Sequence, residues 1–133
     1  MWIYDPEAGT WSHVPYELEA IPANADWVGL SEIHHLGGTE FILIERDNLT
    51  GAFSEIKSAV KVDLSAPVGS DGKEFFDLLA PLHADNGWIH DKPEGLMVGG
   101  DGQVYLVTDN DGVDESNGET QFLRLGDIED LFD

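Results

Sequence analysis

The densest group of oxygen ligands in the chain is Asp109-Asn110-Asp111-Gly112-Val113-Asp114-Glu115-Ser116-Asn117-Gly118-Glu119. A hard cation such as Ca²⁺ takes about six to eight oxygens, and a glycine-bearing loop with this many carboxylates and amides can wrap around one. Asp109, Asp111 and Asp114 are the candidate ligands. The spacing is not that of an EF-hand, because Val113 falls where a ligand is required if Asp109 is the first position. Asp, Asn and Gly are also the favoured turn formers, so a solvated acidic loop is the rival reading. Glu94, in Lys92-Pro93-Glu94-Gly95-Leu96, stands where a strand is expected to begin and offers a ligand or a base. Glu45-Arg46-Asp47-Asn48 closes a similar strand earlier in the chain. Glu45 and Asp47 extend the candidate metal set. Arg46 and Lys92 are the cations that could meet a phosphate ester, although an arginine in an acidic chain also pairs readily with a carboxylate such as Asp47.

Other chemistries find little support. His34 and His35 are adjacent on an expected strand and point to opposite sides, so they cannot easily chelate one ion, and a structural histidine is the better reading. His83 and His90 flank Trp88 with a spacing that matches no mechanistic motif. There is no nucleophile elbow, no phosphate-cradling glycine-lysine loop and no His-Glu-x-x-His. The chain has no cysteine, which removes disulfides, thiol nucleophiles and Cys-based metal sites. Trp2, Trp11, Trp27 and Trp88 read as packing residues between sheets rather than as a sugar platform.

The elements that must hold these residues are mostly strands. Short stretches of period two, bounded by Gly, Pro, Asn or Asp, predict an all-β protein. Trp2 to Tyr16 reads as a hairpin, with Pro6 setting a turn and Gly9 supplying positive φ. Strands are expected at Val28 to Leu36, Phe41 to Glu45, Ile56 to Leu64, Gly95 to Val98, Val104 to Thr108 and Thr120 to Leu125. Gly72 to His83 suits either a strand from Phe75 to Leu79 or a short amphipathic helix, and Ile128 to Phe132 suits one helical turn.

The chain also resembles itself at an offset of 63 residues: Ile33 to Asn48 lies over Leu96 to Asp111 without a gap. Both stretches run strand, glycine-rich turn, apolar strand, then an Asp/Asn cluster. Short-strand repeats of this length indicate propeller blades; two unrelated hairpins in a β-sandwich are the alternative. The expectation is a partial β-propeller of about two blades of antiparallel strands in a single unit over residues 1–133. It comprises a hairpin at 1–20, a blade at 27–80 and an incomplete blade at 92–126. Closure takes about four to eight blades, so the chain is expected either to be the C-terminal piece of a larger protein or to oligomerise through open edges.

With 27 acidic against 6 basic residues the formal charge is −21. Such a field repels nucleic acids and anionic membranes, favours divalent cations, and also suits a solvated surface in salty surroundings. No run is apolar enough to span a membrane, and the N-terminal residues carry no signal-peptide pattern.

Three stretches carry a family resemblance: Lys92 to Leu96, Gly102 to Asp114 and Gly118 to Gly126. Together with the weaker Trp27 to Ile33 and Ile42 to Asn48, they resemble the C-terminal part of the phytase-like family, described as esterase-like activity of phytase. The resemblance implies a β-propeller, a periplasmic or secreted bacterial protein, and phosphatase or esterase activity. Family domains are about twice as long, which implies that blades and site residues lie outside this chain, and no catalytic assignment carries over to its residues. Two functions follow as expectations. One is metal-dependent phosphoester or ester hydrolysis, with Ca²⁺ held by Glu94, Asp109, Asp111, Asp114, Glu45 and Asp47. The other is a non-catalytic Ca²⁺-binding interaction or scaffold module.

Overall fold

A computed structural model describes residues 1–84, 87–90, 92–109 and 120–132. They form three antiparallel sheets. Strands β1 (Trp2–Asp5) and β2 (Thr10–His13) make a hairpin whose turn carries Gly9 at φ +66°. Strands β3 (Val28–Gly37), β4 (Glu40–Asp47), β5 (Lys57–Asp63) and β6 (Lys73–Asp77) form a four-stranded meander. A third sheet holds β7 (Pro93–Val98), β8 (Gln103–Thr108) and β9 (Phe122–Asp127). Helix α1 (Leu79–Ala84) follows β6 and α2 (Ile128–Leu131) follows β9. The segment that suited strand or helix is thus both, strand up to Asp77 and helix from Leu79. The all-β expectation holds, while no closed barrel or propeller is present among the described residues.

Alternation along β4 produces two cores. Ile42 and Ile44, with Ala59 of β5, face the third sheet and pack with Leu78, Leu82, Leu96, Val104 and Leu106. Leu43, with Val60 and Val62, faces the other way and packs with Leu64, Val68, Met1, Val14 and Tyr16. The central sheet is therefore buried on both sides, which explains the unbroken apolar run at β4.

The repeat is visible in the strand registers. Leu30 lies opposite Glu45 and Glu32 opposite Ile44, with Ser31 bulged out between them; Pro93 lies opposite Thr108 and Gly95 opposite Val107, with Glu94 bulged out, every residue 63 further on. Ile44 opposite Ala59 and Leu43 opposite Val60 likewise become Val107 opposite Phe122 and Leu106 opposite Leu123. The correspondence ends at an irregularity between Val104 and Tyr105. Strands β3 and β7 lie side by side, tied by the Ser31 hydroxyl donating to the Pro93 carbonyl (2.7 Å) and the Val98 N–H donating to His34 Nε2 (3.3 Å). His34 is thus the structural histidine expected.

The tryptophans correct the expectation that they pack between sheets. All four are exposed. Trp2 and Trp11 form cross-strand ring pairs with His13 and Tyr4 on a hairpin face that no sheet among the described residues covers. Trp27 lies over Arg46, and Trp88 lies against Gly51.

Candidate functional site

Of the residues picked out for chemistry, the described ones gather at one end of the two larger sheets, where β4 and β8 finish and β3, β5 and β7 begin. Side-chain alternation then divides them. Arg46 points toward the third sheet, where its Nη2 donates to Glu94 Oε1 at 2.8 Å. The guanidinium is buried and lies 5.0 Å from the Trp27 ring centroid, a cation–π contact. Trp27 is fixed by Asn48, whose Oδ1 accepts from the Asp26 and Trp27 N–H groups at 2.8 and 3.4 Å. Arg46 Nη1 reaches the Asp47 carbonyl at 3.4 Å, and Nε has no partner among the described residues. Glu94, on its bulge, keeps partial exposure with one oxygen on Arg46. Asp109 closes β8, its N–H donating to the Lys92 carbonyl at 2.9 Å. Arg46, Glu94, Lys92 and Asp109 therefore belong to one neighbourhood.

Glu45 and Asp47 are committed elsewhere. Glu45 is fully buried and accepts from the Tyr16 hydroxyl (2.6 Å), the Lys73 ammonium (3.1 Å) and the Glu19 N–H (2.5 Å). Burial, the Glu45 hydrogen bond and the charges of Glu45 and Glu19 push the Tyr16 hydroxyl far above its ordinary range, so it stays a donor. Asp47 is also fully buried. Its Oδ1 accepts from Lys57 Nζ (2.5 Å) and the Leu49 N–H (3.1 Å), and its Oδ2 accepts from the Glu55 and Ile56 N–H groups at 2.8 Å. Burial by itself would raise the Asp47 carboxyl, but the hydrogen bond from Lys57, those from Glu55 and Ile56, and the lysine charge together hold it below its ordinary value. Lys57 Nζ further donates to the carbonyls of Asp47 and Leu49, both at 2.9 Å. A metal ion at Asp47 would have to displace that ammonium.

Lys57 and Lys73 are not marked by motif because each lies away in sequence from the carboxylate it meets, 10 residues from Asp47 and 28 from Glu45. The available signal was a lysine inside or beside an apolar strand in a chain with so few cations, which calls for a carboxylate partner. Of the remaining candidate ligands, Asp111 and Asp114 lie outside the described residues. Among the described residues no three His, Asp or Glu side chains are grouped to hold a metal ion.

The family model for phytase-like proteins, described as esterase-like activity of phytase, matches residues 1–112. The chain belongs to the phytase-like family. The match takes in Arg46, Glu94 and Asp109 and most of both repeat units of this phytase-like chain. Nothing among curated proteins or solved structures matches it. No helix among the described residues is long and apolar enough to cross a membrane.

Proposed function

We propose that this phytase-like chain supplies part of a Ca²⁺-dependent phosphoester- or ester-hydrolysing site in a β-propeller, located where β4, β7 and β8 converge. The observation that carries the reading is the Arg46–Glu94 pair. A buried guanidinium holds one oxygen of a partly exposed carboxylate on a bulge, in a family named for esterase-like activity. Glu94 would bind the cation or accept a proton from water. Arg46 fixes its orientation, and Lys92, two residues before Glu94 in sequence, would be the cation to meet the ester's negative charge.

The loops after β4 and β8 support a cation nearby. In the first unit the Lys57 ammonium sits among three oxygens, from Asp47 and Leu49, and closes the loop. In the second unit the position of Lys57 is taken by Thr120. The stretch from Asp109 to Glu119 brings Asp109, Asp111, Asp114, Glu115 and Glu119 with no basic residue. A divalent ion from solution would fill the role of the missing ammonium and reverse the local field that otherwise repels a phosphate. Export to the periplasm or beyond, where Ca²⁺ is plentiful, fits this chemistry.

A second reading is a Ca²⁺-binding scaffold without catalysis, favoured by the commitment of Glu45 and Asp47 to buried lysines. The two readings separate in an assay of p-nitrophenyl phosphate and p-nitrophenyl acetate with and without Ca²⁺. Turnover of either ester that a chelator abolishes supports the hydrolase. Calcium binding without turnover of either ester assigns the scaffold.

A further inference from the structure

We propose that a cleft of about 370 Å³ between the turn at Asn24 and the loop after β4 binds a neutral, ring-bearing alcohol. Resting on the hydrolytic reading above, that alcohol is the leaving group of the ester. The cleft is lined by Asn24, Asn48, Leu49, Thr50 and Phe53, none of them charged. It adjoins the Arg46–Glu94 pair. Two residues of chain separate Arg46 from Asn48, a span of at most about 7 Å. Trp27 links the two places, with its N–H on Asn48 Oδ1 and its ring 5.0 Å from the Arg46 guanidinium.

The lining is fixed before any ligand arrives. Asn48 Oδ1 accepts from the Asp26 and Trp27 N–H groups, and its Nδ2 donates to Asp26 Oδ2 at 3.2 Å. The Leu49 N–H donates to Asp47, and the Leu49 carbonyl accepts from Lys57 Nζ at 2.9 Å and from the Ser54 hydroxyl at 3.0 Å. The Thr50 hydroxyl and the Gly51 N–H both donate to the Ile89 carbonyl, at 3.0 and 2.7 Å. The buried Lys57–Asp47 pair therefore stiffens the backbone beneath the cleft. A lining held in this way binds with little ordering cost. Phe53 ends the short 3-10 turn Gly51–Phe53, and its ring is 72% exposed on this pinned loop.

The side chains select the ligand. Leu49 and Phe53 offer apolar walls to a ring, and the exposed Asn24 amide can meet a hydroxyl. No lining residue carries a charge to pair with a cation. An anion meets the field of a chain at −21, to which the Asp26 carboxylate beside Asn48 adds. A neutral alcohol with one apolar ring satisfies all three conditions, whereas a leaving group that bears further phosphates does not.

Titration of the full chain with benzyl alcohol, followed by the NMR shifts of its backbone amides, tests the cleft without requiring turnover. Saturable shifts are expected at Asn24, Leu49, Thr50 and Phe53. Glycerol, which has no ring, and 4-(hydroxymethyl)benzoate, which adds a negative charge, should bind at least about tenfold more weakly. Phe53→Ala, at a site exposed enough to leave the fold intact, should weaken benzyl alcohol about tenfold. Trp2→Ala removes an equally exposed ring from the hairpin and should bind like the wild type. No saturable shift, shifts centred on the hairpin, equal binding of the carboxylate, or unchanged binding by Phe53→Ala would each overturn the proposal. Hydrolysis of benzyl phosphate and benzyl acetate with Ca²⁺ separates it from the hydrolytic reading. Benzyl alcohol bound in the cleft without turnover of either ester upholds the cleft and sinks only the hydrolase. Turnover of benzyl phosphate that Phe53→Ala leaves at the wild-type kcat/KM upholds the hydrolase and overturns the cleft.

Discussion

Asp47 accepts hydrogen bonds from three backbone N–H groups and from the Lys57 ammonium, which in turn holds the Asp47 and Leu49 carbonyls. One ion pair thereby satisfies five backbone groups in and beside the β4–β5 loop. Removing one member of such a buried pair leaves an uncompensated charge, a loss of about 3–5 kcal/mol. Lys57→Met should show this loss at neutral pH in urea unfolding. Because the native Asp47 carboxyl ionises below its ordinary value, the pair's contribution is complete above about pH 4 and disappears as pH falls through that lowered native value. The gap between wild type and Lys57→Met should accordingly narrow on acidification; a constant gap from neutral to strongly acid pH would show that the ammonium acts only as packing. Gly51 is the second sensitive residue. It has φ +59°, and an added Cβ would meet the Trp88 ring at 2.9 Å. Gly51→Ala should cost about 1–2 kcal/mol from its left-handed backbone alone. The ring contact adds to this, so a lower melting temperature should come with altered tryptophan fluorescence.

At the scale of elements, strand periods and turn residues made nearly every strand legible, and the offset of 63 residues survives in the registers of β3 to β5 against β7 to β9. Period two shows which residues face together but not what faces them. For that reason Glu45 and Asp47 looked like metal ligands beside Glu94, although Lys73 and Lys57, distant in sequence or hidden in an apolar strand, take their oxygens. The same rule that separated His34 from His35 also separates Glu45 from Arg46. The exposed tryptophans were illegible because hydrophobicity reports the wish to be covered, and no sheet among the described residues lies on the hairpin's aromatic face. The loop after β8 yields its own prediction. Millimolar Ca²⁺ should raise the melting temperature, with a stabilisation of about 2.7 kcal/mol at a hundredfold excess over Kd. Asp109→Asn with Asp111→Asn should remove most of it. Equal stabilisation by matched monovalent salt would reduce the effect to screening.

For the whole molecule, the two sheets meet through an apolar core and are pinned at one end by Arg46 and Glu94, at the same place where the strand ends offer Lys92 and Asp109. Packing and chemistry thus share residues, and a variant that merely loosens the sheets must be told apart from one that loses a reacting group. Glu94→Gln keeps the shape and a hydrogen-bonding oxygen for Arg46 while removing the charge and the basic site. Because the Arg46 guanidinium is buried and loses its counter-charge, the variant should also melt at a lower temperature, so rates are compared well below both transitions. The deciding measurement is kcat/KM for p-nitrophenyl phosphate at saturating Ca²⁺ in wild type and Glu94→Gln, with melting temperatures recorded alongside. A hydrolytic site centred on Glu94 predicts a fall of about 10²- to 10⁴-fold in protein that is still fully folded at the assay temperature. A variant that retains the wild-type rate would contradict it.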